Sequence, residues 1–184
     1  MNSANVNVMP AHTNPMQAVR IEKLTLNIGA GNDVAKLDKG LMLIKAITGI
    51  DPIKTVTKKR IPSWGLRPGL PIGAKLTLRK AKAIELLKRL LQAKDNALKS
   101  THFDNSGNIS FGIHEYIDIP GVAYNPQIGI IGLQVCVTLE KRGFRIKFRR
   151  LRPKKISKKH IVTKSEALDF MKKEFNVQVV EEVA

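Results

Sequence analysis

Two nearly identical stretches, Lys23-Leu24-Thr25-Leu26-Asn27 and Lys75-Leu76-Thr77-Leu78-Arg79, alternate polar and apolar side chains. In a β-strand successive side chains point to opposite faces, so the leucines of each stretch face one way and the polar residues the other. The alternation predicts two half-buried strands, the first running from Val19 to Ile28. Each strand turns one face to a core and leaves the other in contact with solvent.

The segments around these strands carry helical and strand periodicity in turn. Asn32 or Asp33 is expected to cap a helix that Gly49 ends. Residues that recur at intervals of three and four positions predict this helix and a second one. In the first helix they are Val34, Leu37, Leu41, Ile44 and Thr48, and in the second they are Ala83, Ile84, Leu87, Leu90 and Leu91. Two more strands, which could be neighbours in the sheet, are predicted by Ile109, Phe111 and Ile113 and by the run from Ile131 to Leu139.

The C-terminal part carries a last helix, because Thr163 and Glu166 have the spacing of a capping box. The fold class that follows is α+β, with an antiparallel or mixed sheet and helices packed on one face. The opposite face is open, and the excess of 32 basic over 15 acidic residues makes RNA its expected partner. We expect a flexible N-terminal arm over residues 1–18, a single α+β RNA-binding domain over 19–178 and a C-terminal tail over 179–184.

The charge balance indicates a polyanionic partner. The chain has 32 lysines and arginines against 15 acidic residues, a formal net charge of +17. No apolar run approaches the ~18 residues of a membrane-spanning helix, so no membrane partner is expected. The single cysteine, Cys136, excludes an intramolecular disulfide and favours a cytoplasmic location.

The polar side chains of the repeated stretch form a candidate RNA-binding surface. Lysine and arginine supply phosphate contacts, while threonine and asparagine bond ribose hydroxyls or base edges. The candidate residues are Lys23, Thr25, Asn27, Lys75, Thr77 and Arg79. The alternative is an ordinary solvated strand face, which the overall charge makes the weaker interpretation.

Residues 61–71 predict a protruding loop, because three prolines and two glycines exclude regular structure there. The loop carries Trp64 and Arg67, which suit stacking on a nucleotide or bonding to it. A structural loop whose Trp64 tucks onto the domain is an equally good interpretation.

Residues 141–160 hold eleven lysines and arginines and no acid, so they are expected to lie against solvent or a polyanion. Phe144, Ile146 and Phe148 alternate with basic residues, as on a strand edge or on an arm that orders on RNA; a solvated basic tail is the alternative. The residues expected to face RNA are Arg145, Lys147, Arg149, Arg150, Arg152, Lys154, Lys155, Lys158 and Lys159.

Signals for an enzyme are weak. Gly29-Ala30-Gly31 lacks the third glycine of a dinucleotide-binding turn, and no phosphate-loop lysine follows it. The four histidines and one cysteine have no zinc spacing, and His114 with Glu115 is better explained as polar surface. We expect no catalytic residue, metal, cofactor or small-molecule substrate.

Several motifs together resemble a known family. Arg67-Pro68-Gly69, the run from Pro71 to Arg79, the run from Val19 to Gly29, Asn108 to Glu115 and Ile130-Ile131-Gly132-Leu133 look like the fifth protein of the large ribosomal subunit. The similarity runs from about residue 18 to 178, and the basic ending after Gly143-Phe144 is similar to the archaeal and eukaryotic branch.

The resemblance implies a structural protein of the cytoplasmic ribosome that binds 5S rRNA in the central protuberance. It singles out Lys23, Asn27, Thr77 and Arg79 for 5S rRNA. It also implies that the protruding loop contacts P-site tRNA through Ser63, Trp64, Gly65, Leu66 and Arg67. The further partners expected are 23S-type rRNA and other large-subunit proteins. A non-ribosomal RNA-binding module or RNA chaperone is the alternative function, and a nucleotide or phosphate-ester enzyme using the Gly29 to Asn32 turn is a weaker one.

Overall fold

The alternating stretches form the centre of an antiparallel sheet. The computed structural model describes residues 14–180. Its strands are β1 (Val19–Gly29), β2 (Ile53–Val56), β3 (Pro71–Leu78), β4 (Ala97–Lys99), β5 (Asn108–Ile113), β6 (Leu133–Lys141) and β7 (Gln178–Val180). Its helices are α1 (Val34–Thr48), α2 (Lys80–Gln92), the single turn α3 (Arg145–Phe148) and α4 (Lys164–Phe175).

Five strands make the main sheet in the order β2-β3-β1-β6-β5, and all neighbours are antiparallel. The two repeated stretches are direct neighbours, with Thr25 opposite Thr77 and Asn27 opposite Lys75. The predicted pairing of the strands that became β5 and β6 is also confirmed. Of the two sheet types expected from the sequence, the structure has the antiparallel one.

Helix α1 begins and ends where the sequence predicts. The side chain of Asp33 accepts a hydrogen bond from Lys36 N at 3.2 Å, and Gly49 ends the helix with a φ of 70°. Its buried face differs from the predicted one, because it consists of Leu37, Gly40, Leu43, Ile44 and Ile47. Of the other predicted positions, Val34 is 58% exposed, and Leu41 and Thr48 are half-buried.

The helices cover one face of the sheet. Leu24 and Leu26 of β1 are fully buried in one cluster with Leu43 of α1, Leu87 of α2 and Met171 of α4. The predicted capping box of α4 is present, with Thr163 N donating to Glu166 Oε2 at 3.0 Å. In α2 the prediction for Ile84 is wrong: its side chain is exposed and Leu86 is buried instead.

A small second sheet lies outside the main one. Strands β4 and β7 pair in parallel, and Gln178 N donates to Asn96 O at 2.8 Å. This pairing was not predicted, and it carries regular structure into the segment expected to be a tail from residue 179.

At the other end of the chain, residues 1–13 of the expected arm lie outside the described residues, and Pro15–Gln17 form a 3₁₀ turn capped by Asn14. Within residues 14–180 no helix has both the length and the apolar character needed to cross a bilayer.

Candidate nucleic-acid interface

The face of the sheet opposite the helices carries mostly polar residues, in three rows across the strands. Opposed residues on antiparallel strands share a face, so the register assigns each row. The first row is Ile53, Lys75, Asn27, Gln134 and Gly112; the second is Thr77, Thr25, Cys136 and Ser110; the third is Lys23, Thr138 and Asn108. We call these three rows the open face.

Five of the six residues predicted on this surface, all except Arg79, lie together on the open face. Asn27 Nδ2 donates to Gln134 Oε1 at 3.0 Å, so the two amides orient each other across β1 and β6. Lys75 and Thr77 are exposed, while Lys23, Thr25 and Asn27 on the central strand are half-buried.

Arg79 lies one residue beyond β3, at the N-cap position of α2. Its Nη1 donates to Glu22 Oε1 at 3.0 Å, and its side chain is half exposed. The sequence pattern placed Arg79 in the strand, and the structure moves it to the rim of the open face, next to the third row.

Strands β5 and β6 contribute open-face residues that the sequence analysis did not select. Asn108, Ser110, Gln134 and Cys136 are exposed, and Thr138 is half-buried. The exposed thiol of Cys136 is free and lies in the second row. The period-two pattern of β5 and β6 predicts which of their residues share a face. The pairing of β6 with β1, which carries Lys23, identifies that face as the open face.

The loop over residues 61–71 extends the β2–β3 hairpin and contains more regular structure than predicted. Pro62–Trp64 form a 3₁₀ turn, and a bridge between Ile61 and Leu66 closes it. Trp64 is 68% exposed, so the interpretation in which its ring tucks onto the domain is wrong. Leu66 is only 6% exposed, and its backbone N–H and carbonyl groups both bond to Ile61, so Leu66 supports the turn from within.

The segment over residues 142–160 is a closed basic loop, and it contains no strand. The period-two pattern over Phe144, Ile146 and Phe148 suggested a strand edge, but Arg145–Phe148 form a helical turn because Arg149 N bonds back to Arg145 O. His160 Nε2 lies 2.7 Å from Arg142 O and joins the two ends of the loop. All nine basic residues predicted to face RNA are exposed.

The basic loop and the third row of the open face border one cleft of about 760 Å³. Lys23, Asn108 and Thr138 come from the sheet, and Lys154 and Lys155 come from the loop. The sequence did not predict this cleft, which joins two of its candidate surfaces.

The 61–71 loop lies at the opposite end of the sheet, because it precedes the part of β3 that pairs with Asn27 to Gly29.

Acidic groups near the basic loop are engaged in ion pairs. Arg20 Nη2 lies 2.6 Å from Glu140 Oε1, and the buried Lys141 Nζ lies 2.7 Å from Glu166 Oε1. Partial burial raises the pKa of the Glu166 carboxyl. The hydrogen bonds from Lys141 and Thr163 and the charge of Lys141 outweigh that effect, so this pKa lies below its ordinary value. Within residues 14–180 no three histidine, cysteine or acidic side chains are grouped as metal ligands would be.

Comparisons with known proteins match most of the chain. The family model described as Ribosomal protein L5 matches residues 14–67, and the model described as the C-terminus of the same ribosomal family matches residues 71–170. The large ribosomal subunit protein uL5 of Sulfurisphaera tokodaii is 46% identical over 169 residues, covering 91% of this chain and 96% of the relative. The protein of the same name from Pyrobaculum aerophilum is 47% identical over 165 residues, covering 90% and 92%. The one from Nanoarchaeum equitans is 47% identical over 167 residues, covering 90% and 98%.

Proposed function

Because this chain belongs to the ribosomal protein L5 family, in its archaeal branch, we propose that it binds 5S rRNA through its open face. The family makes the chain a constituent of the large ribosomal subunit, with a role in translation, and not an enzyme. The proposal adds the position in the central protuberance, contact with 23S-type rRNA and with other large-subunit proteins, and a cytoplasmic location.

The open face is the observation that carries the 5S rRNA proposal. Its three rows combine lysines, hydroxyl groups and a hydrogen-bonded amide pair on the face of the sheet opposite the buried leucines of β1 and β3. Lysines neutralise phosphates, and hydroxyl and amide groups match the 2′-hydroxyls and base edges of the wide minor groove of RNA. The basic loop adds exposed cations at one end of this surface.

We further propose that the 61–71 loop contacts P-site tRNA. The exposed ring of Trp64 and the exposed Ser63, Gly65 and Arg67 support this, because they stand at the end of the sheet remote from the basic loop. An indole and a guanidinium can stack on bases without covering the open face. One chain could then hold two RNAs at its two ends.

The test of 5S rRNA binding is competition among RNAs. A gel shift with equimolar 5S rRNA, tRNA and an unrelated structured RNA of similar length is run from about 50 to about 300 mM salt, over which non-specific electrostatic binding weakens steeply. Retention of 5S rRNA alone at high salt is the expected result. Equal loss of all three would contradict the proposal and favour a general RNA-binding module or chaperone.

The test of the tRNA contact uses ribosomes assembled with a Trp64→Ala variant. We expect weaker P-site tRNA binding and an unchanged affinity of the isolated protein for 5S rRNA, because Trp64 lies outside the three rows of the open face. Unchanged tRNA binding would refute the assignment of the loop. Lys36→Ala, which changes an exposed residue of α1, is the control for a surface substitution outside both sites.

A further inference from the structure

The cleft between the basic loop and the sheet has the size of a small-ligand site. Its volume of about 760 Å³ lies within the roughly 300–1,000 Å³ typical of such sites. One wall is the turn from Phe144 to Phe148, the rim carries Lys154 and Lys155, and the floor is the third row of the open face. It is therefore a concave site at the margin of an otherwise flat sheet surface.

The two aromatic rings of the cleft have different environments. Phe144 is half-buried, and its ring centroid lies 6.1 Å from that of His160, the residue that closes the basic loop. Phe148 is 66% exposed, and the ammonium of Lys147 lies 5.6 Å from its ring centroid. Phe144 is part of the loop's packing, whereas Phe148 offers a ring for stacking.

The charge of the cleft favours a phosphate-bearing ligand. Four lysines line it, Lys23, Lys147, Lys154 and Lys155, and none of them has an acidic partner within salt-bridge distance among the described pairs. The acidic residue in the lining, Glu22, pairs with Arg79 at 3.0 Å. Asn108 and Thr138 place an amide and a hydroxyl at the floor, where they can bond the edge of a base.

The backbone of the basic loop is held in place before any ligand arrives. Lys154 N donates to Ile146 O at 3.2 Å, and Arg149 Nε donates to Arg152 O at 2.9 Å. Together with the His160 to Arg142 contact, these bonds fix the wall and the rim of the cleft relative to each other. Such preorganisation lowers the entropy cost of binding.

We propose that this cleft takes one unstacked nucleotide of an RNA, with its base against the ring of Phe148 and its flanking phosphates on Lys154 and Lys155. Phe148 is the more exposed of the two phenylalanines in the lining, and Lys147 already lies over its ring, so the cleft suits a single base. The inference rests on the proposed RNA-binding function and adds the feature of the RNA that this end of the protein recognises.

The test compares two RNA hairpins that differ by one bulged nucleotide. The bulged nucleotide is 2-aminopurine, whose fluorescence falls when it stacks on an aromatic ring, and the control hairpin is fully paired. We expect the full-length protein to bind the bulged hairpin roughly 5- to 160-fold more tightly, the range that one base–aromatic stack provides. We also expect it to quench the fluorescence.

Variants assign the preference to one ring. Phe148→Ala is expected to abolish both the preference and the quenching, and Phe148→Tyr is expected to keep them. Leu151→Ala is the matched control, because Leu151 is a highly exposed apolar residue of the same loop that does not line the cleft. Circular dichroism of each variant separates loss of binding from loss of folding, and retention by Phe148→Tyr tests the ring itself.

Each remaining outcome contradicts a specific step. Equal affinity for the two hairpins, or equal loss with Phe148→Ala and Leu151→Ala, would overturn the nucleotide site while leaving selective 5S rRNA binding intact. Displacement of the bulged hairpin by polyglutamate as readily as by a phosphate-bearing oligonucleotide would indicate an acidic peptide site instead. Failure of the wild-type protein to bind both hairpins and 5S rRNA would overturn the proposed function itself.

Discussion

Four of the five lysines of the basic loop form two pairs with different surroundings, which allows a matched test of RNA contact. Lys154 and Lys155 line the cleft, whereas Lys158 and Lys159 belong to a 3₁₀ turn outside its lining. Each lysine that neutralises a phosphate contributes about one unit to the slope of log affinity against log salt. Replacing all four by glutamine is therefore expected to lower the slope by up to about four units.

The cleft pair is expected to account for about two of these units, since both of its lysines border the space where phosphates would lie. Over a fourfold rise in salt, from about 50 to about 200 mM, two units of slope correspond to about 16-fold in affinity. Raising the salt over that range weakens 5S rRNA binding in both proteins. The weakening should be about 16-fold smaller for the Lys154→Gln/Lys155→Gln variant than for the wild-type protein.

Filter binding at five or more salt concentrations measures both slopes. The Lys158→Gln/Lys159→Gln variant has the same charge and sequence neighbourhood, and we expect it to change the slope less than the cleft pair does. A wild-type slope in the cleft variant would refute the reasoning, because it would mean that Lys154 and Lys155 point into solvent in the complex. Equal changes in the two variants would show that the loop acts as a diffuse charge.

Three further predictions concern the open face and the packing that supports it. Thr77→Val keeps the shape of the side chain and removes one hydroxyl, so it is expected to weaken 5S rRNA binding by about 1 kcal/mol, and an unchanged dissociation constant would remove Thr77 from the site. Gly107→Ala is expected to destabilise the fold by about 2–5 kcal/mol in urea unfolding, from left-handed strain plus overpacking. Gly107 has a φ of 73°, and an added Cβ would lie 2.7 Å from Val162 Cβ. An unfolding midpoint equal to that of the wild-type protein would show that the turn can move away from Val162. Glu166→Gln is expected to destabilise the protein at neutral pH, because the carboxylate pairs with the buried Lys141. The pKa of Glu166 in the folded protein is lowered from 4.5. The difference in stability between the wild-type protein and the variant is therefore present above pH 4.5 and fades as the pH falls below it. Thermal unfolding that shows a constant difference down to about pH 3 would contradict the pairing.

Local pattern was enough for most elements of this protein. The alternation around Leu24 and Leu76, the Asp33 cap and the Thr163–Glu166 capping box each depend on residues a few positions apart, and all are present in the structure. The candidate residues on β1 and β3 followed from the same period, because side chains of a strand must alternate between its faces. The repeated stretch could thus indicate an RNA-binding surface before any pairing was known.

Short periodic signals were wrong where a long-range contact or a bend of the backbone overrode them. Phe144, Ile146 and Phe148 have strand spacing, yet a single helical turn places Phe148 in the cleft wall and leaves Phe144 against His160. Lys141 belongs to a run of cations that suggested solvent, but its side chain is buried, since Glu166 lies 25 residues further on and neutralises it. Nothing within a few residues of Lys141 encodes that partner.

By itself the sequence determined an α+β protein with an open polar strand face, a protruding loop, a basic segment and a polyanionic partner. Only the tertiary structure decided the strand order β2-β3-β1-β6-β5 and the parallel pairing of β4 with β7. It also decided that the basic loop and the third row of the open face line one cleft. Periodicity, capping and net charge arise from interactions between near neighbours or from composition. Strand order and clefts arise when residues more than a hundred positions apart, such as Lys23 and Thr138, are brought side by side by burial of a common core.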